Sequence, residues 1–176
     1  MRIFIAINFS ESVKDSIQAL SDGIHAGSLR GDFAVRDNLH LTLAFIGETV
    51  RIETLKHLLD DLPREGFQLV VEKHGHFARP EGDILYLGIR RSAPLMELAA
   101  TLRTRLSEAS FPTEERPFKP HITLARRQKC RKGFDPEKLL AQMPPLTMQV
   151  GRVSLMKSEN IRGKIVYSEI YGVDLQ

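Results

Sequence analysis

The quartet His40-Leu41-Thr42-Leu43 returns as His121-Ile122-Thr123-Leu124, 81 positions along the chain (from 40 to 121). A lone His-x-Thr is close to noise, but two copies in matching apolar surroundings constrain the whole fold. The same displacement, taken without gaps, lays Ile3-Phe4-Ile5 over Ile84-Leu85-Tyr86 and Ile17 over Leu98. Farther on, Ala44 falls on Ala125, Leu58-Leu59 on Leu139-Leu140, and Pro63 on Pro144. Similarity of character over such a span reads as an old duplication of one structural unit. Solenoids repeat at roughly 20–50 residues, so this period is too long for one. The expectation is a single bilobal domain, 1–176, whose halves (about 1–80 and 81–176) interleave and pack face to face.

Apolar runs at Ile3–Ile7, His40–Ile46, Ile84–Ile89, His121–Arg126, Met148–Met156 and Ile165–Leu175 predict strands. Another begins at Phe67–Val71 and extends toward Phe77. Val13, Ile17, Leu20 and Ile24 recur at helical spacing behind Ser10, a residue type that caps helices. Ile52, Leu55, Leu58, Leu59 and Leu62 mark a second helix ended by Pro63, and Leu95, Leu98, Leu102 and Leu106 a third. A short fourth helix is expected over Pro136–Gln142, while Gly27–Asp32 reads as a turn and Phe33–Arg36 as extended chain. Helices and strands intermix and no Gly-rich phosphate loop is present. The predicted class is therefore α/β of the α+β kind, with antiparallel or mixed sheets and helices packed outside.

Side chains on a strand alternate between faces. His40, Thr42 and Ala44 should then share one face, with Leu41, Leu43 and Phe45 on the other. In the second copy His121, Thr123 and Ala125 should oppose Ile122 and Leu124. The leucine faces can bury against helices, whereas the His/Thr faces must look onto something polar. If they share one cleft, two imidazoles and two hydroxyls are available to move protons around a phosphate. One histidine on a strand is more often structural than catalytic; a symmetric pair reverses that judgement. His25 and His57 read as helix-surface residues, and His74-Gly75-His76 lacks a carboxylate or cysteine at zinc-like spacing.

Composition excludes more than it assigns. No segment approaches the roughly 18 apolar residues of a membrane span, and the opening run Met1–Ile7 meets Asn8 too early for a signal-peptide core. The single cysteine, Cys130, rules out an internal disulfide and makes a cytoplasmic setting the default. Despite its basic neighbours, Cys130 reads as a bystander thiol. The net charge of +3 is mild, but Arg126, Arg127, Lys129, Arg131 and Lys132 follow the second motif directly. That segment fits a passing phosphate backbone and a solvated loop equally well.

The stretches Asn38-Leu39-His40-Leu41-Thr42-Leu43-Ala44-Phe45-Ile46-Gly47 and Pro117-Phe118-Lys119-Pro120-His121-Ile122-Thr123-Leu124-Ala125-Arg126 resemble the paired signatures of the two-histidine (2H) phosphoesterases. Within that superfamily the chain is most similar to the RNA 2',3'-cyclic phosphodiesterases, also described as 2'-5' RNA ligases. The likeness includes Arg2–Ile7, Ile84–Gly88 and the closing Ser158 through Gly163 to Tyr167. Tyr86 departs from it, since many members carry Trp there. The resemblance implies two pseudo-symmetric lobes around a central cleft. It implies His40 as proton donor and His121 as proton acceptor, with Thr42, Thr123 and Arg126 holding the phosphate. It further implies RNA ends bearing a 2',3'-cyclic phosphate as substrate, among them tRNA fragments, or small cyclic nucleotides. No cofactor, metal, membrane or protein partner is expected. The alternative, from another class, is an RNA-binding module that keeps the cleft without chemistry.

Overall fold

The computed structural model describes residues 2–176. Among these residues nine strands and four helices follow one another as β1 (Arg2–Asn8), α1 (Glu11–Ala26), β2 (Ser28–Phe33), β3 (His40–Glu48), α2 (Ile52–Asp60), β4 (Phe67–Phe77) and β5 (Asp83–Ile89), then α3 (Ala93–Glu108), β6 (His121–Cys130), α4 (Pro136–Leu140), β7 (Leu146–Val150), β8 (Arg152–Ile161) and β9 (Lys164–Asp174). They build two sheets, one of four strands in the order β3-β1-β8-β9 and one of five in the order β2-β6-β5-β4-β7. Every pairing is antiparallel. The α+β class with antiparallel sheets and helices outside is therefore the observed one.

Alternation along β1 explains how the four-stranded sheet works. Ile3, Ile5 and Ile7 are fully buried in the main core, together with Leu41, Leu43, Val153 and Leu155. Phe4 and Ala6 point the other way and cluster with Met156 and Tyr167. Helix α1 buries Val13, Ile17, Ser21 and Ile24, α2 buries Leu55 and Leu59, and α3 buries Leu95, Leu98, Ala99, Leu102 and Leu106. These stripes, spaced three and four residues apart, close the core from outside.

The two motif strands deviate from ideal pairing at the same place. In β3, Thr42 faces Ala6 while Ala44 faces Ile5, so Leu43 is an extra residue. In β6, Thr123 faces Tyr86 while Ala125 faces Leu85, so Leu124 is extra. Such bulges shift the phase of the side chains beyond them. Ala125 is consequently fully buried, and Ala44 packs against the main core. This corrects the expectation that both alanines share the His/Thr faces: strict alternation holds only as far as each threonine. A second irregularity follows in β6, where Leu85 faces Ala125 but Asp83 faces Gln128, with Arg127 at a φ of 52°.

Three boundaries also differ from the sequence reading. Ser28–Phe33 is a strand rather than a turn, because β6 extends past Arg126 to Cys130 and pairs with it. The run Met148–Met156 divides at Gly151 into β7 and β8, which belong to different sheets. Ser10 stands at the start of α1, but its hydroxyl meets that of Ser12 at 3.2 Å and makes no capping bond to the backbone.

The turn before β5 supports the β6 irregularity. Gly82 has a φ of +124°, and a Cβ there would lie 2.6 Å from the carbonyl carbon of Arg127. Gly82→Ala is expected to cost about 1–3 kcal/mol through strain at this φ and the backbone clash. Urea denaturation should show a lower midpoint with an unchanged m value; a midpoint equal to that of the parent would contradict this packing.

Candidate active site

Both motif histidines are held by the same local bond. His40 Nδ1 lies 2.7 Å from the carbonyl oxygen of Asn38, and His121 Nδ1 lies 2.7 Å from that of Lys119. A carbonyl can only accept, so in each ring Nδ1 carries the proton and donates it. Nε2 is then the nitrogen left to exchange protons with a ligand. The donor is two residues from its acceptor in both copies, a consequence of how the backbone leads into each strand.

The segments leading into the two strands are secured differently. A single 3₁₀ turn, Arg36–Asn38, carries the chain from β2 of one sheet to β3 of the other. Arg36 ties that turn to α1 through Glu11 and Asp15, and the Asn38 side-chain Nδ2 donates to the Ile165 carbonyl of β9 at 2.8 Å. At the second site Pro120 follows Lys119 and confines it to extended conformations. The Pro120 carbonyl accepts from the Ile89 amide at 3.1 Å. Across the sheets, β3 comes within 8 Å (Cα to Cα) of β6, and the Ala34 amide just before the turn donates to the Leu124 carbonyl of β6 at 2.8 Å.

Each imidazole sits among aromatic rings. His40 lies 4.9 Å from Phe4 and 5.2 Å from Tyr167, centroid to centroid. His121 lies 5.7 Å from Tyr86 and 6.4 Å from Phe77, both edge to face. Burial holds the His40 imidazolium below its ordinary value of 6.5, and the bond donated to the Asn38 carbonyl offsets only part of this. His40 Nε2 also meets Thr42 Oγ1 at 2.9 Å, so with a neutral ring the hydroxyl is the donor.

The bulges decide what lies beyond each threonine. With Leu124 and Ala125 both buried, the phase of β6 advances by one and the exposed Arg126 falls on the side of His121 and Thr123. Arg126 makes no ion pair among the described residues. The same shift in β3 puts Phe45, 50% exposed, on the side of His40 and Thr42. The two copies therefore agree in His and Thr and differ at the next outward position, one presenting a guanidinium and the other a phenyl ring.

A sequence profile of the 2'-5' RNA ligase superfamily matches residues 9–162, most of the chain. The chain belongs to that superfamily. It is 30% identical to an RNA 2',3'-cyclic phosphodiesterase of Thermotoga maritima over 97% of this chain and 94% of that protein. An Escherichia coli protein of the same name is 33% identical over 71% of each chain. Among solved structures, E. coli LigT in apo form superposes with a TM-score of 0.80 at 27% identity, covering 99% of this chain and 96% of that one. LigT complexed with 3'-AMP gives 0.81 at 27% identity, covering 99% and 97%.

For this member of the 2'-5' RNA ligase superfamily, the remaining candidates separate cleanly. The basic segment after the second motif is partly structural: Arg127 pairs with Asp32, and Arg131 Nε donates to the Ser28 carbonyl at 3.2 Å. Cys130 accepts from the Gln128 amide at 3.2 Å at the far end of β6 from His121. His25 and His57 are exposed on α1 and α2, as expected of surface residues. His76 meets Glu137 at 3.2 Å. The carbonyls of Asn38 and Lys119 and the ring of Phe77 were not legible as site groups. The two carbonyls had as their only signal the same offset of two residues before each histidine, and Phe77 had none.

The lowered His40 pKa has a consequence for stability. With the folded value below the unfolded one, the unfolded chain takes up the proton first, so stability falls as pH drops below about 6.5 toward the folded value. Urea titrations between pH 7.5 and 5 should show a shallower acid-side loss in His40→Gln than in the parent. Equal slopes would mean that His40 titrates as a free imidazole.

Proposed function

We propose that this protein hydrolyses 2',3'-cyclic phosphate ends of RNA to 2'-phosphomonoesters by acid–base catalysis between His40 and His121. The observation that carries the reading is the identical anchoring of both rings through Nδ1, on strands that approach each other from two sheets. The names of the relatives in Thermotoga maritima and Escherichia coli support it, as does the likeness to LigT with 3'-AMP. The near-repeat of the two motif strands, bulges included, supports an origin by internal duplication.

A cyclic phosphodiester has no nucleophile of its own, so water attacks phosphorus in line with the ribose 3'-oxygen. His121 Nε2 takes a proton from that water as the new P–O bond forms. His40 Nε2–H gives a proton to the 3'-oxygen as the P–O3' bond breaks, leaving a 2'-phosphate and a free 3'-hydroxyl. The assignment of donor and acceptor follows the family. It requires His40 to be protonated despite its burial, and the negative charge of the bound phosphodiester favours that form. In the free protein Thr42 occupies His40 Nε2; turning its hydroxyl to a non-bridging oxygen frees the ring. Thr123 supplies the matching donor and Arg126 a forked pair of charged donors. If a 5'-hydroxyl replaces water, the same transfers join two RNA ends through a 2'-5' linkage. A binding module needs no paired imidazoles of fixed tautomer, which disfavours that alternative. A cytoplasmic setting remains part of the reading; among the described residues no helix is long and apolar enough to cross a membrane.

The test is incubation of a short RNA ending in a 2',3'-cyclic phosphate, followed by mass and end-group analysis. Gain of one water with a 2'-phosphate end is expected. His40→Ala and His121→Ala should each lower kcat by about 10²–10⁴-fold with the fold retained. An active double variant, or a 3'-phosphate product, would overturn the reading. Arg126→Ala should raise KM or lower kcat with little change in stability; unchanged values of both would remove it from the site.

A further inference from the structure

Against His121, which lines it, lies a cavity of about 240 Å³ whose wall also includes Lys73, Phe77, Tyr86, Arg91 and Lys119. It contains three cationic side chains and no carboxylate among its described lining residues. The neighbouring Arg90 and Glu72 neutralise each other in an ion pair, whereas Lys73, Arg91 and Lys119 make none among the described residues.

The wall is shaped by two glycines. A Cβ on Gly75 would lie 2.5 Å from the Tyr86 hydroxyl, so the absence of a side chain lets that ring lie across β4. There it stacks on Phe77 with centroids 4.7 Å apart and planes at 25°. Gly88 pairs with His121, and a Cβ on it would press to 3.0 Å against Lys73 Cβ. Cations and stacked rings side by side suit a phosphate and a base.

The cavity is continuous with the candidate site at His121 and at Tyr86, which pairs with Thr123, but its cations gather at the His121 end. Lys119 and Thr123 are four residues apart on extended chain, about 13 Å at ~3.3 Å per residue. Lys119 precedes His121 and Lys73 is level with it through Gly88, whereas Arg126 lies five residues beyond, so the two sets of cations are placed to meet successive anions of one chain.

We propose that the cavity receives the internucleotide phosphate one step 5' of the cyclised ribose, with the neighbouring base against the Phe77–Tyr86 pair. The protein would thereby select the end of an RNA chain over a free cyclic mononucleotide. The proposal rests on the cyclic phosphodiesterase reading above and adds the length of substrate that the site requires.

The experiment compares kcat/KM for cytidine 2',3'-cyclic phosphate, its 5'-phosphorylated form, and CpC ending in a 2',3'-cyclic phosphate. A fourth substrate is the same dinucleotide with a neutral methylphosphonate linkage. The parent should favour the charged dinucleotide by roughly tenfold or more, and the neutral linkage should lose most of that advantage. Arg91→Ala and Lys73→Ala should each raise KM for the dinucleotide and leave the cyclic mononucleotide unaffected. Each should also reduce the salt dependence, the slope of log kcat/KM on log salt, by about 0.7 for the dinucleotide. Equal use of mononucleotide and dinucleotide, full retention with the neutral linkage, or equal loss on both substrates in the variants would overturn the proposal. A 5'-phosphate that gains as much as a whole nucleotide would overturn the placing of the neighbouring base against the Phe77–Tyr86 pair, and one that gains nothing would overturn the phosphate site. Turnover of none of these substrates would instead overturn the hydrolase reading on which the proposal stands.

Discussion

An imidazole whose Nδ1 donates to a backbone carbonyl has one nitrogen left for chemistry, and its direction is set by the backbone. In this protein that bond occurs twice, from His40 to the Asn38 carbonyl and from His121 to the Lys119 carbonyl, at the same distance. Everything distinctive about the site depends on it. It fixes the tautomer, so that either ring can accept a proton at Nε2 when neutral or deliver one there when charged. It also transfers the precision of two sheets to two side chains. The supports behind the carbonyls are unrelated: an arginine clamp and a side-chain hydrogen bond from Asn38 to β9 in one case, a proline in the other. A common geometry reached by different local means points to selection for the geometry.

The bulges after Thr42 and Thr123 are the second constraint. Each turns an alanine from the polar face toward the core, Ala125 into it and Ala44 against it, and turns the following residue outward. The exposed positions so created, Phe45 and Arg126, are where the copies part company. The candidate site is therefore symmetric in its imidazoles and hydroxyls and asymmetric around them. His40 is held between Phe4 and Tyr167 and capped by Thr42, while His121 borders the cationic cavity. Two rings of like tautomer in unlike surroundings are suited to opposite halves of one proton exchange.

How much of this was legible in the sequence depended on range. The leucines of both motifs, the isoleucines of β1 and the stripes of α1 and α3 follow from periodicity, because burial imposes period two on strands and about 3.6 on helices. His40, His121, Thr42 and Thr123 stood out because a repeat makes coincidence improbable. Arg126 was placed by family likeness alone; alternation would have sent it to the core side, and only the bulge explains its exposure. Bulges arise from the register of two strands and leave no mark in the periodicity of one. The split of Met148–Met156 at Gly151 was hidden for a related reason, since two strands of different sheets present one uninterrupted apolar pattern. Tyr167 and Phe77 reach their histidines through sheet order, which no local pattern encodes.

The most direct test of the paired-imidazole arrangement is long-range ¹H–¹⁵N NMR of histidine-labelled protein, titrated with adenosine 2'-phosphate as the product-like ligand. In the free protein above the range where the rings protonate, both His40 and His121 should show the Nδ1–H tautomer with an unprotonated Nε2. Added ligand should shift Nε2 of both rings with one common Kd. An Nε2–H tautomer in either ring, or a response confined to one of them, would contradict a shared two-histidine site.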